Sequence, residues 1–230
     1  MRRIAIFQLP FRGRDEFLPL SGNPSLDARW VTPNQFRQVF SGGADVIVLP
    51  GSAATVRDLD YLRESGGARI IFEHLSAGGT VVGICGGYQI LGNAIFDPLK
   101  RQGSRAAVEG LKLLPLNTLF GGTLASTTSR ATCLLADRNA PQVTAVEHRS
   151  GYSWATATAR DFHNLHTLEE RIALKPLPQP DSTLVPGITW EPCRESLDGF
   201  VSADRRLWGT YFHLIFHNDT FNRVFFASLP

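Results

Sequence analysis

Cysteine is scarce in this 230-residue chain. There are three, Cys85, Cys133 and Cys193, widely spaced and with no C-x-x-C pair. They suggest neither a disulfide framework nor a zinc site, and they fit a reducing, cytoplasmic compartment. Long apolar runs are missing too: none approaches the roughly 18 residues of a membrane helix. The opening MRRIAIFQLPFRGRDEF meets charges soon after its short apolar stretch and has no small-residue cleavage site, so it does not read as a signal peptide. Charge of one sign is not in excess: 23 Lys and Arg against 21 Asp and Glu leave +2. Bulk charge therefore gives no basis for binding nucleic acid or an acidic membrane. There is no internal repeat, no low-complexity tract and no G-x-x-x-x-G-K-[ST] loop for a nucleotide triphosphate.

What is there is a globular composition, 43% hydrophobic, in a chain long enough for one large domain or two small ones. Apolar runs at Arg3–Leu9, Ala44–Leu49 and Thr80–Ile84 predict strands. Between them Thr32-Pro33 opens a helix to about Phe40. Thr55 and Asp58 have capping-box spacing ahead of Val56, Leu59 and Leu62, and Ile70, Ile71 and Leu75 mark another helix. Strands apolar on both faces alternating with helices predict a parallel α/β sheet. The second half reads as shorter, antiparallel flanking strands at Gly110–Pro115, Thr123–Cys133 and Val143–Trp154. A proline-rich irregular excursion follows over 161–198, then a hairpin-like pair over Asp204–Phe216 and a helix from Asp219 to about Ala227.

Chemistry concentrates at Gly83-Ile84-Cys85-Gly86-Gly87-Tyr88-Gln89, a G-x-C-x-G element between a buried strand and a helix. This is a nucleophile elbow with cysteine in the serine position. Glycines on either side remove Cβ atoms that would strike strand and helix. The helix N-terminus favours a thiolate, and the Gly86 N–H is placed to donate to an oxyanion. The competing reading of Cys85 is a small buried hydrophobe beside a glycine turn. Leu49-Pro50-Gly51-Ser52 ends another parallel strand, where α/β sheets form their sites, so Gly51 and Ser52 are candidates for the second oxyanion N–H.

The base must come from His74, His148, His163, His166, His213 or His217. His74 reads as a satisfied helix residue. His163 and His166 are spaced i, i+3 without an obvious third metal ligand, and no metal site is expected. His148 lies beside a predicted strand and is ambiguous. His213, where an apolar strand turns into a loop, suits a Cys–His pair, with His217 as competitor.

GICGGYQILG (83–92) together with WGTYFHLIFHNDTF (208–221) resembles the glutamine amidotransferase domain of the cobyric acid synthase family. DVIVLPGSAATVRDLDYLRESG (45–66), VEGLKLLPL (108–116) and SGYSW (150–154) resemble further segments in the same order, so the likeness covers nearly the whole chain. It implies a flavodoxin-like class I amidotransferase fold, one domain over 1–230. The central sheet would be mostly parallel, with helices on both faces and antiparallel strands added in the second half. It further implies that Cys85 attacks the side-chain amide of L-glutamine with His213 as base. Gly51 or Ser52 and Gly86 would hold the oxyanion, and Gln89 would help hold the glutamine. The ammonia would amidate corrin carboxylates activated by ATP on the way to cobalamin. ATP and Mg belong to a synthetase domain or subunit, with no cofactor in this chain.

Four features bear on how much of the family pattern carries over. A carboxylate two residues after the histidine, which this family usually lacks, is absent here also: the position is Ile215. The glycine expected after the histidine is Leu214, which puts bulk beside the pocket. The family's Gly-Tyr-Glu-Ile-His reads Gly151-Tyr152-Ser153-Trp154-Ala155. The synthetase domain is not in these residues, so the chain reads as a fragment, a subunit or a diverged stand-alone relative. Alternatives are an amidotransferase with another acceptor (cobyrinic acid or a peptidoglycan lipid precursor), a pseudo-amidotransferase that binds or regulates, and an unrelated cysteine hydrolase on the same sheet.

Overall fold

The computed structural model describes residues 1–13, 15–133, 135, 140–156, 162–173 and 197–229. In chain order the elements are β1 (Arg2–Phe7), α1 (Leu18–Ser21), β2 (Leu26–Val31), α2 (Phe36–Val39), β3 (Val46–Leu49), α3 (Thr55–Glu64), α4 (Gly67–Ser76), β4 (Thr80–Ile84) and α5 (Gly86–Leu91). There follow β5 (Ala94–Phe96), β6 (Ala107–Glu109), β7 (Leu116–Cys133), β8 (Gln142–Ala155), β9 (Phe162–Ala173), β10 (Leu197–Ser202), β11 (Leu207–Thr210), β12 (Phe212–His213) and α6 (Asp219–Ser228).

One sheet runs in the order β12-β8-β7-β9-β10-β11-β4-β3-β1-β2, with β5 and β6 to the side. The half from β11 to β2 is parallel, and the half from β12 to β11 is antiparallel. The period-2 alternation of a strand divides the apolar residues between two cores. Ala5, Phe7, Ile47, Leu49 and Val81 face α3, α4 and α5. Ile4, Ile6, Val46, Val48, Val82 and Ile84 face Leu20 of α1 and Phe221 and Phe225 of α6. Because both faces of these strands are buried, they appear in the sequence as continuous apolar runs.

Several expectations are corrected. β2 is a strand the sequence did not suggest, because LDARWV is half-exposed at the sheet edge and carries no apolar run. Gly110–Pro115 is not a strand: its N–H groups donate to the end of α5, Leu111 to Ile90 O and Leu113 to Leu91 O, and Lys112 has φ +58°. β7 and β8 are 18 and 14 residues long rather than short. The expected excursion contains strand β9 and the start of β10. Residues 174–196, with Cys193, lie outside the described residues. Asp204–Phe216 is no hairpin: β11 lies parallel to β4 and antiparallel to β10, while β12 joins β8. Thr55 and Asp58 make no capping box, since Ala54 is the N-cap and Asp58 is used elsewhere.

Candidate active site

Cys85 stands between β4 and α5 with φ +48° and ψ −104°, a conformation that non-glycine residues avoid. The turn is pinned on both sides. Cys85 N–H donates to Thr210 O of β11 at 2.8 Å, and Cys85 O accepts from Gln89 N–H at 3.0 Å. The glycines are required by close approach: a Cβ on Gly87 would stand 2.2 Å from Leu49 O, and one on Gly86 2.6 Å from Ser52 Cβ. The loop after β3 is thereby pressed against the elbow, and Gly87 N–H donates to Pro50 O at 3.0 Å. Gly51 packs against Cys85 and Ser52 against Gly86. The Ser52 hydroxyl turns away and donates to Asp58 at 2.6 Å, which leaves its main chain facing the elbow. Burial raises the Asp58 carboxyl above its usual range, against the hydrogen bonds from Ser52 and Phe11.

His213 comes from β12, whose pairing with β8 sets His213 opposite Val146 and near His148. The two imidazoles lie 5.3 Å apart between centroids. The Cys85 thiol donates weakly to His148 O at 3.4 Å. Burial, the largest influence, would push the His213 imidazole down; Cys85, through its charge and a hydrogen bond, and the Glu16 carboxylate together raise it well above its usual value. Burial and the neighbouring His213 charge lower His148.

Glu16, which the sequence reading missed, places Oε1 3.3 Å from His213 Nδ1. It is delivered by the 3₁₀ turn Asp15–Phe17. Phe17 packs edge-on against Trp30 of β2 at 5.6 Å and tilted against Phe216, in the turn after His213, at 5.9 Å. No local spacing connects Glu16 to His213; the packing of Phe17 against Trp30 and Phe216 brings them together.

Gln89 also lines the cleft, with both ends of its amide engaged. Nε2 donates to Tyr211 Oη at 2.9 Å, and Oε1 accepts from Thr55 Oγ1 at 3.2 Å. Tyr211 Oη continues to Ser153 Oγ at 2.6 Å and Ser153 to Thr118 Oγ1 at 2.6 Å. Burial pushes the Tyr211 phenol up to about 12, so it remains a neutral partner in this chain. Arg149 ties the antiparallel half to the site: it contacts Glu147 at 2.5 Å and Asp198 at 3.1 Å, and its guanidinium lies 4.0 Å from the centre of the Tyr211 ring.

These groups meet in a cleft of about 690 Å³ at the carboxyl ends of β3 and β4, lined by Cys85, His213, His148, Glu16, Gly51, Ser52 and Gln89 together with Arg12, Gln102 and Phe120. His148 thus shares the cleft with His213. His217 is exposed on the turn after β12, and His74 is buried against Thr80 O at 3.0 Å. The backbones of His163 and His166 lie in β9. Among the described residues no cluster of metal-ligating side chains occurs.

Residues 2–221 match the model of the CobB/CobQ-like glutamine amidotransferase domain. The chain belongs to that family. This amidotransferase domain is 33% identical over 214 residues to a cobyric acid synthase of Allorhizobium ampelinum, covering 93% of this chain and 37% of the relative. It is 35% identical over 188 residues to a cobyric acid synthase of Synechocystis sp., covering 82% and 32%. The chain thus spans about a third of the length of these relatives. Among solved structures, one described as a glutamine amidotransferase superposes with a TM-score of 0.64 at 13% identity, covering 98% of this chain and 97% of the other. The PurLQS structure from Thermotoga maritima gives 0.61 at 15%, covering 99% and 97%. At these identities the structures speak for the fold: a class I amidotransferase α/β sheet with antiparallel strands added.

In this amidotransferase domain Leu214 does not crowd the cleft. It adopts φ +61°, the left-handed conformation in which glycine is at ease, and is 37% exposed outside the cleft lining. Ser153, where the family pattern has glutamate, is buried in the hydrogen-bond chain to Tyr211. No helix among the described residues is long and apolar enough to cross a membrane.

Proposed function

We propose that residues 1–230 act as one glutaminase domain that supplies ammonia for an ATP-dependent amidation. The observation that carries the reading is a cysteine on a strained strand-to-helix elbow sharing a cleft with an imidazole whose proton affinity Cys85 and Glu16 together raise. Cys85 Sγ attacks the side-chain carbonyl carbon of glutamine, and His213 takes the thiol proton. The oxyanion sits between the Gly86 N–H and the N–H of Gly51 or Ser52. His213 returns the proton to the leaving nitrogen and ammonia departs, leaving a glutamyl thioester. Water adds with His213 as base and glutamate is released. Gln89, its amide fixed by Thr55 and Tyr211, forms the wall against which the glutamine side chain is held.

The acceptor follows from the relatives rather than from the cleft. Their name, cobyric acid synthase, favours corrin carboxylates activated on a synthetase domain or subunit that carries ATP and Mg. The test is glutamate release from glutamine by the purified chain. Cys85→Ser is expected to abolish it, and Cys133→Ala and Cys193→Ser to retain it within about twofold. Equal loss from all three overturns the assignment of the nucleophile.

A further inference from the structure

A base that cycles between imidazole and imidazolium needs its far nitrogen held, because rotation or the wrong tautomer takes the near nitrogen away from the nucleophile. The position two residues beyond His213 cannot do this: it is Ile215, fully buried. Glu16, 7% exposed, approaches Nδ1 from the opposite end of the chain, and Oε1 has no hydrogen-bond partner apart from this 3.3 Å contact. His213 Nε2 is also buried and faces no partner other than Cys85, which leaves it as the nitrogen available to the thiol. Glu16 is the one acidic side chain among the described residues lining the cleft. The neighbouring acids Glu147 and Asp198 are engaged by Arg149.

We infer that Glu16 is the positioning carboxylate of this site: it fixes His213 with Nδ1–H toward Oε1 and Nε2 toward Cys85, and it stabilises the imidazolium formed when the thiol ionises. The inference rests on Cys85 and His213 being nucleophile and base. The charged or titratable groups facing His213 are Cys85 from the elbow, Glu16 from the turn after β1 and His148 from β8, with Arg12 in the same cleft. Burial opposes the charge on His213, so the thiolate and Glu16 must together outweigh it, as its raised proton affinity indicates.

The experiment follows the ring-nitrogen NMR signals of His213 through a pH titration in the full chain, with His213→Gln to identify them. Wild type, Glu16→Gln and Glu16→Asp are compared. Glu16→Gln keeps the shape and removes the charge. It is expected to lower the His213 midpoint by about one pH unit, a tenfold loss of proton affinity. Glutaminase kcat should fall about tenfold or more with KM within about twofold, and Glu16→Asp should restore part of both. A His213 midpoint that does not move in Glu16→Gln overturns the inference, whatever happens to stability. Should Glu16→Gln fail to fold, Glu16→Asp decides it by the same midpoint. A wild-type chain that releases no glutamate overturns the glutaminase reading instead, and the titration still decides whether Glu16 and His213 act as a pair.

Discussion

Gly51 lies flat against the His213 ring: a Cβ built on it would stand 3.0 Å from His213 Cε1 and 3.7 Å from Cys85 Cβ. The backbone of the strand-end loop thus forms the wall that keeps imidazole beside thiol. Gly51→Ala needs no forbidden backbone angle, so its methyl acts on the ring. Glutamine hydrolysis is expected to fall by about tenfold or more, with the thermal midpoint nearly unchanged. Gly87→Ala meets the Leu49 carbonyl at 2.2 Å and is expected to destabilise the whole domain. Steady-state kinetics beside thermal unfolding separate the two, and a stability loss from Gly51→Ala as large as that from Gly87→Ala would contradict the account.

The raised proton affinity of His213 has a consequence for stability. A group whose folded value lies above its unfolded value, about 6.5 for histidine, stabilises the fold fully below the unfolded value. That contribution is lost as pH rises through the folded value. The stability advantage of wild type over His213→Gln is therefore expected to shrink from near pH 6.5 upward. Urea midpoints across that range test it; an advantage that grows with pH would contradict it.

Tyr211 is the hub of a buried hydrogen-bond chain. Tyr211→Phe leaves Gln89 Nε2 without its partner, while Ser153 Oγ keeps Thr118 Oγ1. Leaving buried polar groups unpaired costs about 1–3 kcal/mol, and that loss is expected in denaturant unfolding. A change of a few tenths would mean that water replaces the hydroxyl.

Leu214 in the left-handed region costs roughly 1–2 kcal/mol, and its side chain is only partly buried in return. Leu214→Gly relieves that cost while giving about 0.5–1 kcal/mol back to unfolded-chain entropy. The variant is expected to be as stable as wild type or up to about 1 kcal/mol more stable, with glutaminase activity retained. Loss of activity would show that Leu214 supports His213 directly.

The parallel half of the sheet was legible because β1, β3 and β4 are buried on both faces and appear as unbroken apolar runs. The elbow was legible because its glycines answer to contacts that tolerate no side chain. Edge strand β2 was not, since half-burial leaves no run. Gly110–Pro115 looked like a strand because Leu111 and Leu114 are buried, yet its main chain is spent on the end of α5. β11 looked like half of a hairpin because nothing local reveals that a strand near the end of the chain inserts parallel to β4. Glu16 was the largest omission at the site. A search beside His213 in sequence finds only Ile215, whereas the contact is made by Phe17 packing between Trp30 and Phe216.

The central claim is that the Cys85 thiolate and a glutamine pocket are formed together in this chain. Incubation with the glutamine-derived electrophile 6-diazo-5-oxo-L-norleucine, followed by mass spectrometry of the digested protein, tests it most directly. The account predicts a single adduct on Cys85 that excess glutamine prevents. A folded chain in which iodoacetamide reaches Cys85 but the glutamine analogue does not would contradict it.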